Sequence, residues 1–167
     1  MPRRLRPIAV DTNVLFDLVQ EVEVVIDCLE TIAKRIPNSS IIVLPTVILE
    51  LRKRAGAGDP KEQEIAANAL SSILNPWGFV PVNFIPVGHG IVEQIGRKIR
   101  ASGLIPDEEI NDSFIVAEAA LYGATMLISS DGHINAIDQK LLKIQLDSSD
   151  VDCPLIASPW KIVNMFS

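Results

Sequence analysis

Two aspartates in this 167-residue chain stand where an apolar run stops. Asp11 follows Ile8-Ala9-Val10 directly, and Asp131 follows the run Thr125 to Ser129 with one further serine between. Short apolar runs of this kind read as buried strands, so both carboxylates are delivered to strand tips. In a parallel sheet, the space beyond the carboxyl ends of the strands is where chain reversals and helix N-termini gather. A helix cap or turn residue is the plainer reading of either aspartate alone. Asp112 is placed differently: in a helix it projects in line with Ile115, Val116 and Ala119, on the face due for burial. A carboxylate there is costly unless paired or metal-bound. Its rival role, a first-turn acid answering the helix dipole, is already filled by Asp107, Glu108 and Glu109. Glu50 borders the stripe Val47, Ile48, Leu51 and Ala55 and carries the same argument against a solvated helix edge.

Other hydrolytic chemistry finds no comparable footing. His89 lies in Val-Gly-His-Gly and His133 in Ser-Asp-Gly-His, with no serine or cysteine in a nucleophile-elbow setting. Neither Walker nor dinucleotide-binding glycine patterns occur. Cys28 and Cys153 are far apart, without the spacing of a zinc site or disulfide framework, and read as buried thiols in a reducing compartment.

The elements that must position the acids follow from periodicity. Pro7 to Val10 is the first strand, with a helical pattern from Val14. Val22, Val25, Ile26, Leu29, Ile32, Ala33 and Ile36 mark the next helix, ended by turn residues Pro37-Asn38-Ser39-Ser40, and Ile41 to Leu44 is a buried strand. Pro45-Thr46 opens the helix that carries Glu50, with threonine as a possible cap. After Gly56-Ala57-Gly58, Asp59-Pro60 caps and opens a helix with Ile65, Ala69 and Ile73 on one side, making a helical excursion over 56–86. Phe79 to Pro86 is extended but broken by prolines, an edge strand at most. Helices follow at Ile91, Ile95 and Ile99 and from about Asp107 to Tyr122, closed by Gly123. Then come the strand Thr125 to Ser129, a last helix at Leu141, Leu142 and Ile144, and a short strand Leu155 to Ala157 before a tail with Trp160. Strands alternating with helices imply right-handed crossovers and a mostly parallel α/β sheet.

Composition agrees with one domain of that class: 48% of residues are hydrophobic but only 5% aromatic, the aliphatic palette of a covered parallel sheet. The net charge of −6, from 21 acidic and 15 basic residues, argues against a surface that binds nucleic acid everywhere. It leaves room for a local basic groove, and basic residues do cluster: Arg3, Arg4 and Arg6; Arg52, Lys53 and Arg54; Arg97, Lys98 and Arg100. A solvated helix face is the plainer reading of each cluster. The apolar run after the N-terminal arginines is too short for a signal peptide or membrane span, so a cytoplasmic protein is expected.

At the four acids the sequence resembles the PIN-domain family, small α/β nucleases that include the ribonuclease toxins of toxin-antitoxin pairs. The matching segments are AVDTNVLFDL, LPTVILELRKRA and INDSFIVAEAALYGATMLISSD with the Gly132-His133 that follows. Asp11-Thr12-Asn13 matches a strand-end aspartate followed by a hydroxyl residue and asparagine. Glu50 matches a glutamate on the helix after the second strand. Asp112 with Ile115, Ala117 and Ala119 matches D-x-x-I-x-A-x-A, and Ser129 with Asp131 matches the last motif. The resemblance spans about Ile8 to Ile134; residues 148–167 match only loosely. It departs at Gly132-His133-Ile134, where toxins of the family often place an acidic-aromatic pair.

The resemblance implies a three-layer sandwich with about five strands, and acids converging on one pocket. Two unit charges about 4 Å apart repel by roughly 4 kcal/mol at an effective dielectric near 20, so a cation is needed, and oxygen-only ligands select Mg²⁺ or Mn²⁺. Asp11 and Asp112 are then the principal ligands, with Asp131 and Glu50 completing the site directly or through water. Thr12, Asn13 and Ser129 orient those carboxylates, and Arg52, Lys53 and Arg54 steer the RNA backbone. Hydrolysis of RNA phosphodiesters, an antitoxin partner and a homodimer are implied in the same way. Two rivals stand beside this reading. A haloacid-dehalogenase-like phosphatase also starts from a strand-tip aspartate, but it needs a second aspartate where Asn13 stands. A non-catalytic RNA- or protein-binding module has no use for acids clustered near phosphate.

Overall fold

The first strand, β1 (Arg6–Val10), ends in three fully buried side chains, Ile8, Ala9 and Val10. A strand buried on both faces belongs in the middle of a sheet covered by helices. The computed structural model describes residues 5–83 and 86–167, with side chains at 86–89 outside the description, and places β1 in that position. It pairs in parallel with β2 (Ser39–Val43) on one side and with the strand Met126–Ile128 on the other. With β3 (Val80–Pro81), β4 (Met126–Ile128) and β5 (Leu155–Ala157), the sheet has order β3-β2-β1-β4-β5, and all four pairings are parallel.

The chain therefore leaves β1 in one direction and later returns past it to β4, so the sheet has its topological switch at β1, where open α/β sheets form a ligand crevice. Helices α1 (Thr12–Val19) and α2 (Glu23–Arg35) join β1 to β2, and α3 (Pro45–Gly56) and α4 (Pro60–Ser72) join β2 to β3. Helices α5 (Pro86–Ala101) and α6 (Ile110–Leu121) lead back to β4; α7 (Gly132–Asn135) and α8 (Gln139–Asp147) lead to β5, and α9 (Pro159–Met165) follows. Right-handed crossovers in that order put the first four helices and the next four on opposite faces. Packing follows the same division: α3 against α4, α1 against α2 and α4, and on the other side α5 against α6 and α8. The two groups meet where α3 touches α6. Among the described residues no helix is long and apolar enough to cross a membrane.

Several boundaries differ from the sequence reading, each for a tertiary reason. Ser39 and Ser40 are strand, not turn, because they pair with Arg6 and Pro7. Thr46 does not cap α3; Leu44 is the N-cap residue and offers no side-chain bond. Helix α6 starts at Ile110, not Asp107, so Asp112 lies in its first turn after all. The expected last helix, at Leu141 to Ile144, is followed by α9, which contains Trp160 and packs on α2. The edge strand expected over Phe79 to Pro86 is two residues long, and positions 84 and 85, like Arg3 and Arg4, lie outside the described residues. Cys28 is buried, whereas Cys153 is only partly so.

Helix α6 is held against α5 at a close approach. A Cβ added at Gly96 would come within 2.9 Å of the Phe114 ring and 3.2 Å of Ser113 Oγ, while Arg100 Nη1 donates to that same Ser113 Oγ at 2.5 Å. Gly96→Val is expected to destabilise the protein by about 1–3 kcal/mol through overpacking. Gly90→Ala, on the same helix with nothing within 4 Å, should be neutral or stabilising by up to about 1 kcal/mol. Urea unfolding of the two variants checks the contrast; equal effects would contradict it.

Candidate active site

Asp11 emerges one residue beyond β1, and its backbone is fixed there by donation from Asp11 N to Ile128 O at 2.9 Å. It is the N-cap of α1, with Oδ1 accepting from Thr12 N at 2.7 Å, while Oδ2 accepts from Ser129 Oγ at 2.7 Å. Its helix-cap reading therefore holds alongside any further role. Only 3% of Asp11 is exposed, and burial pushes its carboxyl above the ordinary range against the pull of those two hydrogen bonds; Asp131 raises it further.

Ser129 joins the two strand tips. Its hydroxyl donates to Asp11 and accepts from Asp131 N at 3.0 Å, so the turn after β4 is registered directly on the carboxylate after β1. Asp131 caps the short helix α7, its Oδ2 accepting from Ile134 N at 2.9 Å. Asn135 braces the same turn, donating through Nδ2 to Ser129 O at 2.7 Å and to Asp131 O at 2.9 Å.

Asp112 comes from the first turn of α6, and its side chain makes no hydrogen bond among the described residues. Its carboxyl is pushed up to about 7, first by burial and then by Asp11, Asp131, Glu109 and Glu50. All three other predicted acids thus act on Asp112. Glu50, on α3, is raised by burial and next by Asp11, with Arg54, Thr12 and Lys53 opposing. Arg54 Nη2 stands 3.8 Å from Glu50 Oε2, and its guanidinium lies 4.9 Å from the centroid of the Phe16 ring. Glu50 Oε1 and Thr12 Oγ1 are both buried without a hydrogen-bond partner; they are near enough for Thr12 to favour the charged carboxylate, but not in bonding geometry.

The four acids are thus brought together at the switch point, from β1, α3, α6 and the β4–α7 turn. The other predicted positions divide. Thr12 and Ser129 face the acids; Asn13 is half-buried in the first turn of α1 and makes no side-chain bond among the described residues. Lys53 is exposed and acts on Glu50, Arg54 is committed to Glu50 and Phe16, and Arg52 lines a separate groove with Pro81, Val82 and Asn83. Of the third basic cluster, Lys98 is engaged with Ser149, and Arg100 with Ser113 and Asp107. An apolar groove of ≈ 470 Å³, bordered by Ile26, Leu29, Ala33, Ile41, Trp77 and Phe79, holds none of the acids.

The sequence matches the PIN domain family over residues 8–140, a span that includes all four acids. The chain belongs to the PIN domain family. No curated protein matches it in sequence. Among solved structures it is similar to VapBC2 from Rickettsia felis bound to a DNA fragment from their promoter, with 18% identity, TM-score 0.63, and coverage of 91% of this chain and 98% of that chain. VapBC-1 from nontypeable Haemophilus influenzae gives 15% identity, TM-score 0.59, and coverage of 92% and 98%. FitAcB from Neisseria gonorrhoeae gives 21% identity, TM-score 0.56, and coverage of 92% and 98%. At these identities the likeness is one of fold.

The donor set of this PIN domain fits a hard divalent cation. It is all oxygen, three of its carboxyls are held above their ordinary range, and one oxygen, on Glu50, is buried with no partner. Among the described residues, no three acidic, histidine or cysteine side chains already close on one point at ligand spacing; the fit rests on donor chemistry and mutual repulsion. His133 sits at the rim, 3.9 Å from Glu109; the side chain of His89 lies outside the described residues.

One buried acid escaped the sequence reading. Glu118 is fully buried on α6, its Oε1 accepting from Thr46 N at 3.0 Å and its Oε2 from Thr46 Oγ1 at 2.8 Å. The signal was present in Val-Ala-Glu-Ala-Ala, a lone acid inside an otherwise small and apolar helical run.

The raised carboxyl of Asp112 has a defined consequence for stability. Below its ordinary value of 3.8 the acid is protonated in both folded and unfolded chains; between 3.8 and about 7 only the unfolded chain ionises; above about 7 both do. The penalty on folding therefore grows across that window and is constant beyond it. In EDTA, the stability advantage of Asp112→Asn over the parent should grow from pH 4 to pH 7 and then level off, as read from denaturant midpoints at each pH. An advantage that shrinks as pH rises would contradict the assignment.

Proposed function

We propose that this PIN domain, read as one nuclease domain over 1–167, is a metal-dependent ribonuclease and the toxin of a toxin-antitoxin pair. The observation that carries the reading is that Asp11, Glu50, Asp112 and Asp131 lie around the switch point near enough to shift one another's carboxyls, with Glu50 Oε1 buried and unpartnered. A cluster of negative charge has no value for phosphate binding by itself, and it becomes useful once a cation is shared. Asp11 and Asp112 are assigned as the principal ligands of Mg²⁺ or Mn²⁺, with Asp131 and Glu50 completing the site directly or through water. A bound divalent ion supplies a water of lowered pKa and screens charge on the phosphoryl oxygens.

The chain's own residues do the rest of the work. Ser129 fixes the orientation of Asp11 and the start of the α7 turn, so that two ligands from distant strands hold their relation. Thr12 and Asn13 lie in the first turn of α1, where Thr12 Oγ1 faces Glu50. Arg54 restrains Glu50 from one side, and Lys53 is an exposed cation near Glu50, assigned with Arg52 and Arg54 of the same basic run to meet the RNA backbone. An antitoxin chain that covers the site is suggested by the fold-level neighbours, which are VapBC and FitAcB assemblies, and a second copy of this chain in a homodimer by the family resemblance alone. Action on RNA in the cytoplasm completes the reading.

Incubation of the purified protein with a mixed RNA panel and Mn²⁺ tests it. Cleavage is expected, abolished by EDTA and lowered by roughly a hundredfold or more in Asp11→Asn and Asp112→Asn, in line with the loss of a transition-state charge stabiliser. RNA binding that is indifferent to EDTA and yields no product would defeat the nuclease assignment. A trapped phosphoryl-aspartate would favour the phosphatase instead.

A further inference from the structure

The buried acid that the four-carboxylate site leaves over is Glu118. Helix α3 begins without a local cap: Leu44 supplies no side-chain acceptor, and Pro45 has no N–H. The first donor left open is Thr46 N, and it is answered from across the molecule by Glu118, 72 residues away, which also accepts from the Thr46 hydroxyl. Among the described residues Glu118 forms no salt bridge; burial pushes its carboxyl up to about 7, and the hydrogen bonds from Thr46 at the start of α3 are what oppose that rise.

Position gives the bridge a meaning beyond capping. Thr46 and Glu50 are four residues apart on α3, one above the other on the same face and about 6 Å apart along the axis. Glu118 and Asp112 are six residues apart on α6, about 9 Å along its axis. Thr46 meets Glu118 where α3 packs on α6, and Glu50, one turn further along α3, is close enough to both Asp112 and Glu118 to raise their carboxyls. The first turn of α3 is thus clamped by hydrogen bonds, while the turn after it carries an acid repelled by its neighbours. Without the clamp, repulsion and the lack of a partner on Glu50 Oε1 favour α3 moving outward.

We propose that Glu118 is a positioning residue that sets the divalent-ion affinity of the acid site, by holding α3 through Thr46 so that Glu50 stays in register with Asp11 and Asp112. The assignment rests on the function proposed above and goes beyond it by adding a residue that touches neither metal nor substrate. Loss of such a supporting contact typically costs roughly 10–100-fold in metal affinity. Substitution by glutamine keeps the bridge, since its carbonyl oxygen accepts from Thr46 N and its amide donates to Thr46 Oγ1.

Mn²⁺ titration followed by electron paramagnetic resonance of the free ion reads the effect without requiring turnover. Glu118→Ala is expected to weaken binding by roughly 10–100-fold, and Glu118→Gln to stay within about threefold of the parent. In a Glu50→Gln background, Glu118→Ala should add nothing, because the ligand it positions is already gone. Parent-like binding by Glu118→Ala, or a full additional loss in the Glu50→Gln background, overturns the assignment. Should Glu118→Ala not fold by circular dichroism, Thr46→Val, which keeps the N–H bond and deletes the hydroxyl one, is expected to weaken binding in the same direction, and parent-like binding by it overturns the proposal equally. A parent protein that binds Mn²⁺ and cleaves RNA while these variants match it removes this inference alone; a parent that binds no Mn²⁺ removes the proposed function and this inference together.

Discussion

Negative charge taken out of water without enough positive charge beside it is the constraint that organises this protein. Asp11 is almost fully buried, and Asp112 and Glu50 are partly so; Asp11 raises the carboxyls of Glu50 and Asp112, and Glu50 raises that of Asp112. The chain offers partial answers only: two hydrogen bonds to Asp11, a long contact from Arg54 to Glu50, and the first turns of α1, α6 and α7. Each helix N-terminus contributes a fraction of a charge, too little to balance four carboxylates. Outside the site, the buried Glu118 is held by two hydrogen bonds from Thr46. The core is aliphatic, Asp59 and Asp138 cap exposed helices, and Lys143 pairs with Asp147 at the surface.

Such an imbalance needs a rigid frame, and the parallel sheet supplies it. Three strands end at the switch point in register, with Val10 beside Val43 and Ile128. A side chain one residue beyond β1 therefore has little freedom to retreat. Ser129 then ties the β4 tip to the β1 tip, and Glu118 ties α6 to α3. Both contacts help the parts of the chain on opposite faces of the sheet agree on where the acids stand. Removing either leaves an acid with unsatisfied oxygens, a cost of about 1–3 kcal/mol for a buried polar group.

The four acids were legible in the sequence because each sits in a local pattern: an aspartate ending an apolar run, or an acid beside an apolar helical stripe. The sheet was legible for the same reason, since Ile8 to Val10 and Met126 to Ile128 are runs without polar interruption. What local pattern cannot carry is partnership across distance. Thr46 looks like a cap and is instead the receiver of one, because its partner lies 72 residues on. Ser39 and Ser40 look like turn residues and become strand because β1 is there to pair with. Asp112 looked too far inside its helix to serve the first turn, since three acids precede it, but the turn before α6 absorbs those and starts the helix at Ile110. The basic run of α3 shows the same limit: three neighbouring cations point to three environments, one to Glu50 and Phe16, one to solvent near the acids, one to a groove beside β3.

The most direct measurement of the account is anomalous diffraction from crystals soaked in Mn²⁺. The account predicts a manganese peak within coordinating distance of the carboxylates of both Asp11 and Asp112, with Glu50 or Asp131 reached directly or through water. Ordered crystals with no peak at the switch point, and these acids paired instead with lysine or arginine side chains of the same chain, would contradict it.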